Sequence, residues 1–192
     1  MSHIFVRSER IIEAAPEEIF ATLADYQDKR PRMLTPHFLN YKVERGGHGE
    51  GTTISYTLQV GGRERFYQMA IDEPQKGHLL TERDSNSSLV TRWSVRELED
   101  GIGSRVTVES DWEGAKGVGG FFERTFAPIG LHRIYKSMLH ALALLTQAPE
   151  KTQKIMLLDK KNRPNNTGLA MLVVGSALAV AIGVGYLRVR HK

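Results

Sequence analysis

From residue 3 to residue 112 the chain is written largely in period two, with apolar and polar side chains alternating between glycine- or proline-containing breaks. Residues 3–13, HIFVRSERIIE, predict a strand rich in Ile and Val. At Ala14-Ala15-Pro16-Glu17-Glu18 the period changes. Proline is tolerated at a first helical position, two acids complement the helix dipole, and Ile19, Phe20 and Leu23 supply one apolar face. A second short helical or loop segment, Asp28 to Leu34, contains Pro31. Strands are then predicted at 39–45, 52–60, 64–72, 78–84, 88–97 and 103–112. The breaks between them are Gly46 to Gly51, Gly61-Gly62, Asp72-Glu73-Pro74, Asp84 to Ser87 and Glu99-Asp100-Gly101. Breaks this short imply an antiparallel meander.

The alternation gives the sheet two unlike faces. Ile54, Tyr56, Leu58 and Val60 share one side of their strand, as do Leu89, Thr91, Trp93 and Val95, and Val106, Val108, Ser110 and Trp112. The other side carries Ser55, Thr57 and Gln59, then Arg92, Ser94 and Arg96, then Arg105, Thr107 and Glu109, and is expected to be wet. After a glycine-rich stretch, residues 121–147 have helical period, with Phe122, Phe126, Ile129, Ile134, Met138, Leu142 and Leu145 expected to cover the apolar side of the sheet. Pro128 and Gly130 predict a kink or break there.

Beyond this the pattern changes again. Residues 168–187, GLAMLVVGSALAVAIGVGYL, carry no charge. At ~1.5 Å per residue such a run spans ~30 Å, the hydrocarbon thickness of a bilayer. It ends at Tyr186 and is followed by Arg188, Arg190 and Lys192, as interfacial anchors would be. A single transmembrane helix is therefore expected over 168–187, joined to a domain at 1–147 by a basic linker at 148–167 and closed by a basic tail at 188–192. Gly175, Ala179 and Gly183 recur every fourth residue, a stripe through which two such helices can approach as a homodimer.

Charge changes the picture in one respect. The pI near 9.4 suggests nucleic acid, but residues 1–150 hold 18 Lys and Arg against 21 Asp and Glu, and the basic excess lies in the tail. A mildly acidic domain has no footprint for a phosphate backbone, so no nucleic-acid partner is expected. No apolar leader segment marks the N-terminus, and Lys151, Lys154, Lys160, Lys161 and Arg163 precede the apolar run. By the positive-inside rule the domain is expected on the cytoplasmic side of the membrane. The sequons at Asn86 and Asn165 are then expected to go unused. The chain contains no cysteine, which excludes disulfides, a thiolate nucleophile and Cys-ligated metal.

One strand, two short helical segments, six strands and a long helix, together with Ala14 to Tyr26 (AAPEEIFATLADY), Gly49-Glu50-Gly51-Thr52 and Gly119-Gly120-Phe121-Phe122-Glu123, resemble the START-like, or SRPBCC, superfamily and its polyketide cyclase/dehydrase-like branch. The resemblance covers about Ile4 to Leu145. It implies an α+β helix-grip fold, a curved antiparallel sheet wrapped on a long C-terminal helix with an apolar cavity between them. It also implies a hydrophobic small-molecule ligand such as a lipid, a quinone, a sterol or a polyketide, with catalysis in some members only.

The residues themselves show little chemistry. The chain has no GxSxG, HExxH, P-loop or GxGxxG pattern. Of seven histidines only His132 and His140 share an element, eight residues apart with no third ligand, so neither metal nor cofactor is expected. Tyr56, Trp93 and Trp112 fall on the covered face, as plain core or as ligand contacts. Glu82 and Arg83 sit at a strand end, by default as a solvated ion pair; only one of them can point inward, and an inward Glu82 would be a buried carboxylate available as an acid or base. His132 and Tyr135, three apart on the long helix, either hydrogen-bond a ligand carbonyl or edge the core. Three functions follow, in this order: a membrane-tethered binding domain for a hydrophobic molecule, a cyclase or dehydratase, and an interaction module with a closed core.

Overall fold

The structure, a computed structural model, describes residues 3–60, 62–99, 101–114 and 128–147. Seven strands are seen: β1 (His3–Ile12), β2 (Phe38–Arg45), β3 (Thr53–Val60), β4 (Arg63–Gln75), β5 (Leu79–Asp84), β6 (Val90–Glu97) and β7 (Ser104–Glu113). They form one sheet in the order β1-β7-β6-β5-β4-β3-β2, antiparallel at every pairing. From β2 to β7 each strand lies beside its successor, as the short breaks require. β1 adds to β7 instead, so β1 and β2 take opposite edges. The chain crosses between those edges through α1 (Pro16–Ala24) and a 3-10 turn (Arg30–Met33), the second helical segment of the sequence pattern.

One expected break is displaced. Asp72-Glu73-Pro74 is not a turn: β4 continues to Gln75 across a register shift between Asp72 and Gln75. The irregularity accommodates Pro74, which has no N–H to give to the ladder. The reversal follows at Gln75–His78, where His78 N–H donates to the Gln75 carbonyl (3.0 Å) and Gly77 takes φ 74°. Between β6 and β7 the chain must pass close to the end of β1. A Cβ on Gly103 would stand 2.6 Å from the Ile12 carbonyl oxygen, and its φ is 112°.

The inner face of the sheet carries Ile4 and Val6 of β1, Ile54 of β3, Met69 and Ile71 of β4, Leu80 of β5, Val95 of β6, and Val106 and Val108 of β7, all buried. Against it lies α2, helical throughout 128–147. Ile134, Met138 and Leu142 are buried in the shared core, together with Leu139 and Ala143. Ile129 does not join them and is 53% exposed. Within the described residues α2 has no break at Gly130. A Cβ there would come 2.6 Å from Val60 Cγ1, so the glycine lets the helix approach β3. Phe122 and Phe126 lie outside the described residues.

The outer face is less uniformly wet than the alternation implies. Ser55 and Thr107 are buried, and the Ser55 hydroxyl donates to Glu44 (2.8 Å), which also takes the Lys42 ammonium (2.7 Å). Long side chains on the neighbouring strand cover the short hydroxyl.

Among the described residues no helix is long and apolar enough to cross a membrane. The linker at 148–167, the apolar run at 168–187, the tail at 188–192 and the stripe of Gly175, Ala179 and Gly183 lie outside the described residues.

Candidate functional site

A sheet that curves around one helix leaves space where side chains from the two do not meet. Here that space is a cavity of about 640 Å³. Its walls are mostly aromatic and aliphatic. Phe38 of β2 packs on Tyr56 of β3 (ring centroids 5.0 Å apart), and Tyr56 on Tyr67 of β4 (5.5 Å), its register partner. Trp93 of β6 meets Tyr135 of α2 edge-on at 6.1 Å. Trp112, Leu131 and Met138 complete the wall toward β7 and α2. Arg63, Glu64 and Arg65, all exposed, line the cavity at the β3–β4 end, so it extends from the core to the protein surface.

The polar part of the wall is assembled from three distant segments. The glycines of the β2–β3 loop, at positive φ, bring its backbone against the end of α1. Tyr26 N–H donates to the Gly47 carbonyl (2.8 Å) and Gly49 N–H to the Ala24 carbonyl (2.9 Å). This anchors the segment after α1, from which Tyr26 and Arg30 turn inward. Glu82 arrives from β5, where the alternation that sends Leu80 inward sends Glu82 inward too. The Arg30 guanidinium pairs with Glu82 Oε1, which also accepts the Tyr26 hydroxyl (2.9 Å). Arg30 donates its other terminal nitrogen to the Leu23 carbonyl (3.0 Å). Its guanidinium carbon lies 4.6 Å from the Tyr26 ring centroid and 4.8 Å from that of Trp93. Arg30 and Glu82 are 3% and 5% exposed, so a full ion pair is held inside the core.

Burial acts to lower the pKa of Arg30, but the Glu82 charge and the surrounding phenols outweigh it and raise it above the ordinary value. Burial pushes Tyr26 and Tyr56 well above the usual phenol value, and the Glu82 charge adds to it. Tyr135 is pushed by burial up to about 12. The phenols are therefore neutral at ordinary pH. On the β6–β7 side Thr91 and Ser110 share a hydrogen bond (2.6 Å), and Ser110 bonds the Tyr135 hydroxyl.

Of the residues singled out from sequence, Tyr56, Glu82, Trp93, Trp112 and Tyr135 all line this one cavity. His132 does not. Its Nδ1 lies 2.8 Å from Ser8 Oγ and 3.1 Å from the Arg7 carbonyl, so it clamps α2 to β1. Three residues along a helix turn a side chain by about 300°, which is enough to part His132 from Tyr135 at a narrow cavity wall. Glu82 and Arg83 are not an ion pair with each other. Adjacent strand residues face opposite ways, and Arg83 meets Asp72 outside at 3.5 Å. Sequence reasoning misses Arg30 and Tyr41, which also line the cavity, and Tyr26, whose carbonyl accepts the Tyr41 hydroxyl (2.8 Å). One signal was available: an inward carboxylate on an apolar strand face requires a cation from elsewhere in the chain.

The sequence profile of the polyketide cyclase / dehydrase and lipid transport family matches residues 3–146, and the chain belongs to that family. Among solved structures it is similar to the KanY protein, with 40% identity and a TM-score of 0.66 over 74% of this chain and 97% of that one. The fold is shared at 14% identity with the ZhuI aromatase/cyclase of a Streptomyces species (TM-score 0.61, 74% and 92% covered). It is shared equally with a START superfamily protein from Mycobacterium smegmatis (14% identity, TM-score 0.58, 77% and 99% covered). No curated protein matches the chain. The curved antiparallel sheet of seven strands with its C-terminal helix fits the helix-grip fold.

Proposed function

We propose that the domain binds a hydrophobic, ring-containing small molecule in the cavity between sheet and helix, and does so tethered to a membrane. The observation that carries the reading is the cavity itself. About 640 Å³ lies within the range of sites that enclose drug-sized ligands, and its walls are mainly apolar and aromatic with a few placed polar groups. Membership of a family whose description joins cyclase, dehydrase and lipid transport supports a ligand of this kind.

Cyclase or dehydratase chemistry needs a free acid–base pair facing the substrate. Glu82 is instead engaged by Arg30 and Tyr26, and no histidine lines the cavity among the described residues. A closed interaction module needs a filled core, which a cavity of this size does not provide. The tether rests on the uncharged run at 168–187 and its basic flanks. It would hold the cavity near the bilayer into which such ligands partition, with the domain on the cytoplasmic side.

The test is to purify the full chain from membranes, extract it with organic solvent and identify what co-purifies by mass spectrometry. A stoichiometric apolar compound supports the reading. A protein that yields none, and takes up neither added quinone nor added lipid, overturns it. Resistance of the full chain to alkaline extraction, lost when 168–192 is removed, tests the tether.

A further inference from the structure

Every exposed residue of α2 lies on one stripe of the helix. These positions are Ile129, Arg133, Lys136, Ser137, His140 and Leu144. At about 100° per residue they fall within an arc of about 100°, and at ~1.5 Å per residue the stripe is about 22 Å long. The other side of α2 packs into the core, so this is the face that the sheet leaves unpartnered.

Two properties set this stripe apart from ordinary solvated surface. The first is charge. Residues 1–150 carry more acids than bases, yet residues 128–147 contain neither Asp nor Glu. On the outer face of the sheet arginines are matched by carboxylates: Arg7 and Arg105 by Glu9, Arg83 by Asp72, and Arg92 by Asp111. Arg133 and Lys136 have no such partner among the described residues. The second is apolar exposure. Ile129 and Leu144, at the two ends of the stripe, are 53% and 58% exposed. Cations set between exposed aliphatic side chains suit a helix that lies in the surface of an anionic bilayer. A second copy fits less well, because a two-fold contact through this stripe brings the same cations together.

We infer that the exposed face of α2 docks flat on an anionic lipid surface, with Arg133 and Lys136 at the headgroups and Ile129 and Leu144 just below them. For its strength the inference rests on the tether proposed above, because proximity makes so small a face sufficient. Twenty residues, 148–167, separate α2 from the apolar run, and five of them are Lys or Arg against two acids. A flexible chain of that length keeps its ends about 25 Å apart on average. The face therefore meets the bilayer at high effective concentration. Docking also orients the cavity. Gly130 brings the first turn of α2 against Val60, and Val60, Leu131 and Arg63 all line the cavity. Its β3–β4 end is then held at the lipid surface instead of at a distance set by the linker.

The absence of cysteine allows a single label to test this. The full chain with Ser137→Cys, carrying an environment-sensitive fluorophore, is reconstituted in vesicles of phosphatidylcholine alone or mixed with phosphatidylserine. Both contain a lipid with a nitroxide at its headgroup as quencher. Ala70→Cys, exposed between the inward Met69 and Ile71 of β4, reports from the outer face of the sheet. The Ser137 label should be quenched in the mixed vesicles and only weakly in phosphatidylcholine, and the Ala70 label in neither. Arg133→Gln combined with Lys136→Gln should lower the docked-to-undocked ratio by about 25-fold, at about fivefold for each cation. High salt should act likewise. A chain that floats with the mixed vesicles while its Ser137 label stays unquenched overturns the docking and leaves the tether standing. Quenching at Ser137 that the double variant does not change, or equal quenching at Ala70, also overturns it. So does a Ser137 signal in phosphatidylcholine that grows with the protein-to-lipid ratio, which would make the face a contact between copies. A chain that does not float with phosphatidylcholine vesicles, yet shows the Ser137 signal on mixed ones, loses the tether and keeps the docking.

Discussion

Arg30 and Glu82, 52 residues apart in sequence, meet as an ion pair inside the core, and the pair joins the segment after α1 to the middle of the sheet. Breaking such a pair differs from deleting it. Arg30→Met leaves Glu82 buried without a counter-charge and should cost about 3–5 kcal/mol in urea unfolding. Arg30→Met combined with Glu82→Leu removes both charges and should recover most of that loss. If the double variant is as unstable as the single one, Arg30 stabilises by packing rather than by compensating charge.

The buried phenols set a limit on the alkaline side. In the folded state Tyr135 holds its proton up to about pH 12, and Tyr26 and Tyr56 are also shifted upward. In the unfolded chain a tyrosine releases its proton near pH 10. Above that pH the folded state binds more protons than the unfolded one, so stability falls as pH rises, and the contribution of Tyr135 is lost progressively between about pH 10 and 12. A shift of this size corresponds to roughly 2–3 kcal/mol at most. Unfolding midpoints taken from pH 8 to 12 should decline, and Tyr135→Phe should decline less steeply across that window. Parallel slopes for the two proteins would contradict a buried neutral Tyr135.

The sheet was legible in sequence because its code is local. Alternation placed all six strands after residue 38, and it set Tyr56, Trp93 and Trp112 on the covered face. Pro74 reads as a turn in sequence because proline marks breaks and bulges alike, and only the pairing partner tells them apart. The polar centre was half legible. The period-two pattern allowed Glu82 to face inward, but its partner lies on an irregular segment where no period says which of Arg30 and Arg32 turns to the core. That choice depends on the β2–β3 loop docking against α1, a contact between segments about 20 residues apart. For His132 the sequence leaves a ligand contact and the edge of the core both open for a related reason, since helical spacing fixes direction around α2 but not what lies opposite.

His132 and Tyr135 should therefore behave differently on mutation. His132→Ala removes the link from α2 to Ser8 and the Arg7 carbonyl, and should cost about 0.5–1.5 kcal/mol of stability with ligand affinity unchanged. Tyr135→Phe alters the cavity wall and leaves Ser110 with Thr91 as its hydrogen-bond partner, and should change affinity measured by titration of intrinsic fluorescence. That signal is well placed, because the chain has two tryptophans and both line the cavity. An affinity loss in His132→Ala with a normal unfolding curve would return His132 to the site.

Gly130 offers a test of how closely α2 approaches the sheet. On a free helix Gly→Ala is stabilising by about 1 kcal/mol, since alanine has the higher helix propensity. Here the added methyl would stand 2.6 Å from Val60 Cγ1, and a β-branched side chain held in a strand has few other rotamers to adopt. Overpacking of this kind costs about 1–3 kcal/mol, so Gly130→Ala should be destabilising on balance. Val60→Ala removes the obstructing carbon. On its own it should be mildly destabilising, because Val60 is only half-buried. Combined, the two substitutions should be more stable than Gly130→Ala alone, with a coupling of about 1 kcal/mol or more in a double-mutant cycle. Additive effects would mean that α2 relaxes away from β3 without resistance. Because Val60 also lines the cavity, the double variant should keep its ligand if the methyl fills the space that valine leaves, and lose affinity if the helix has moved.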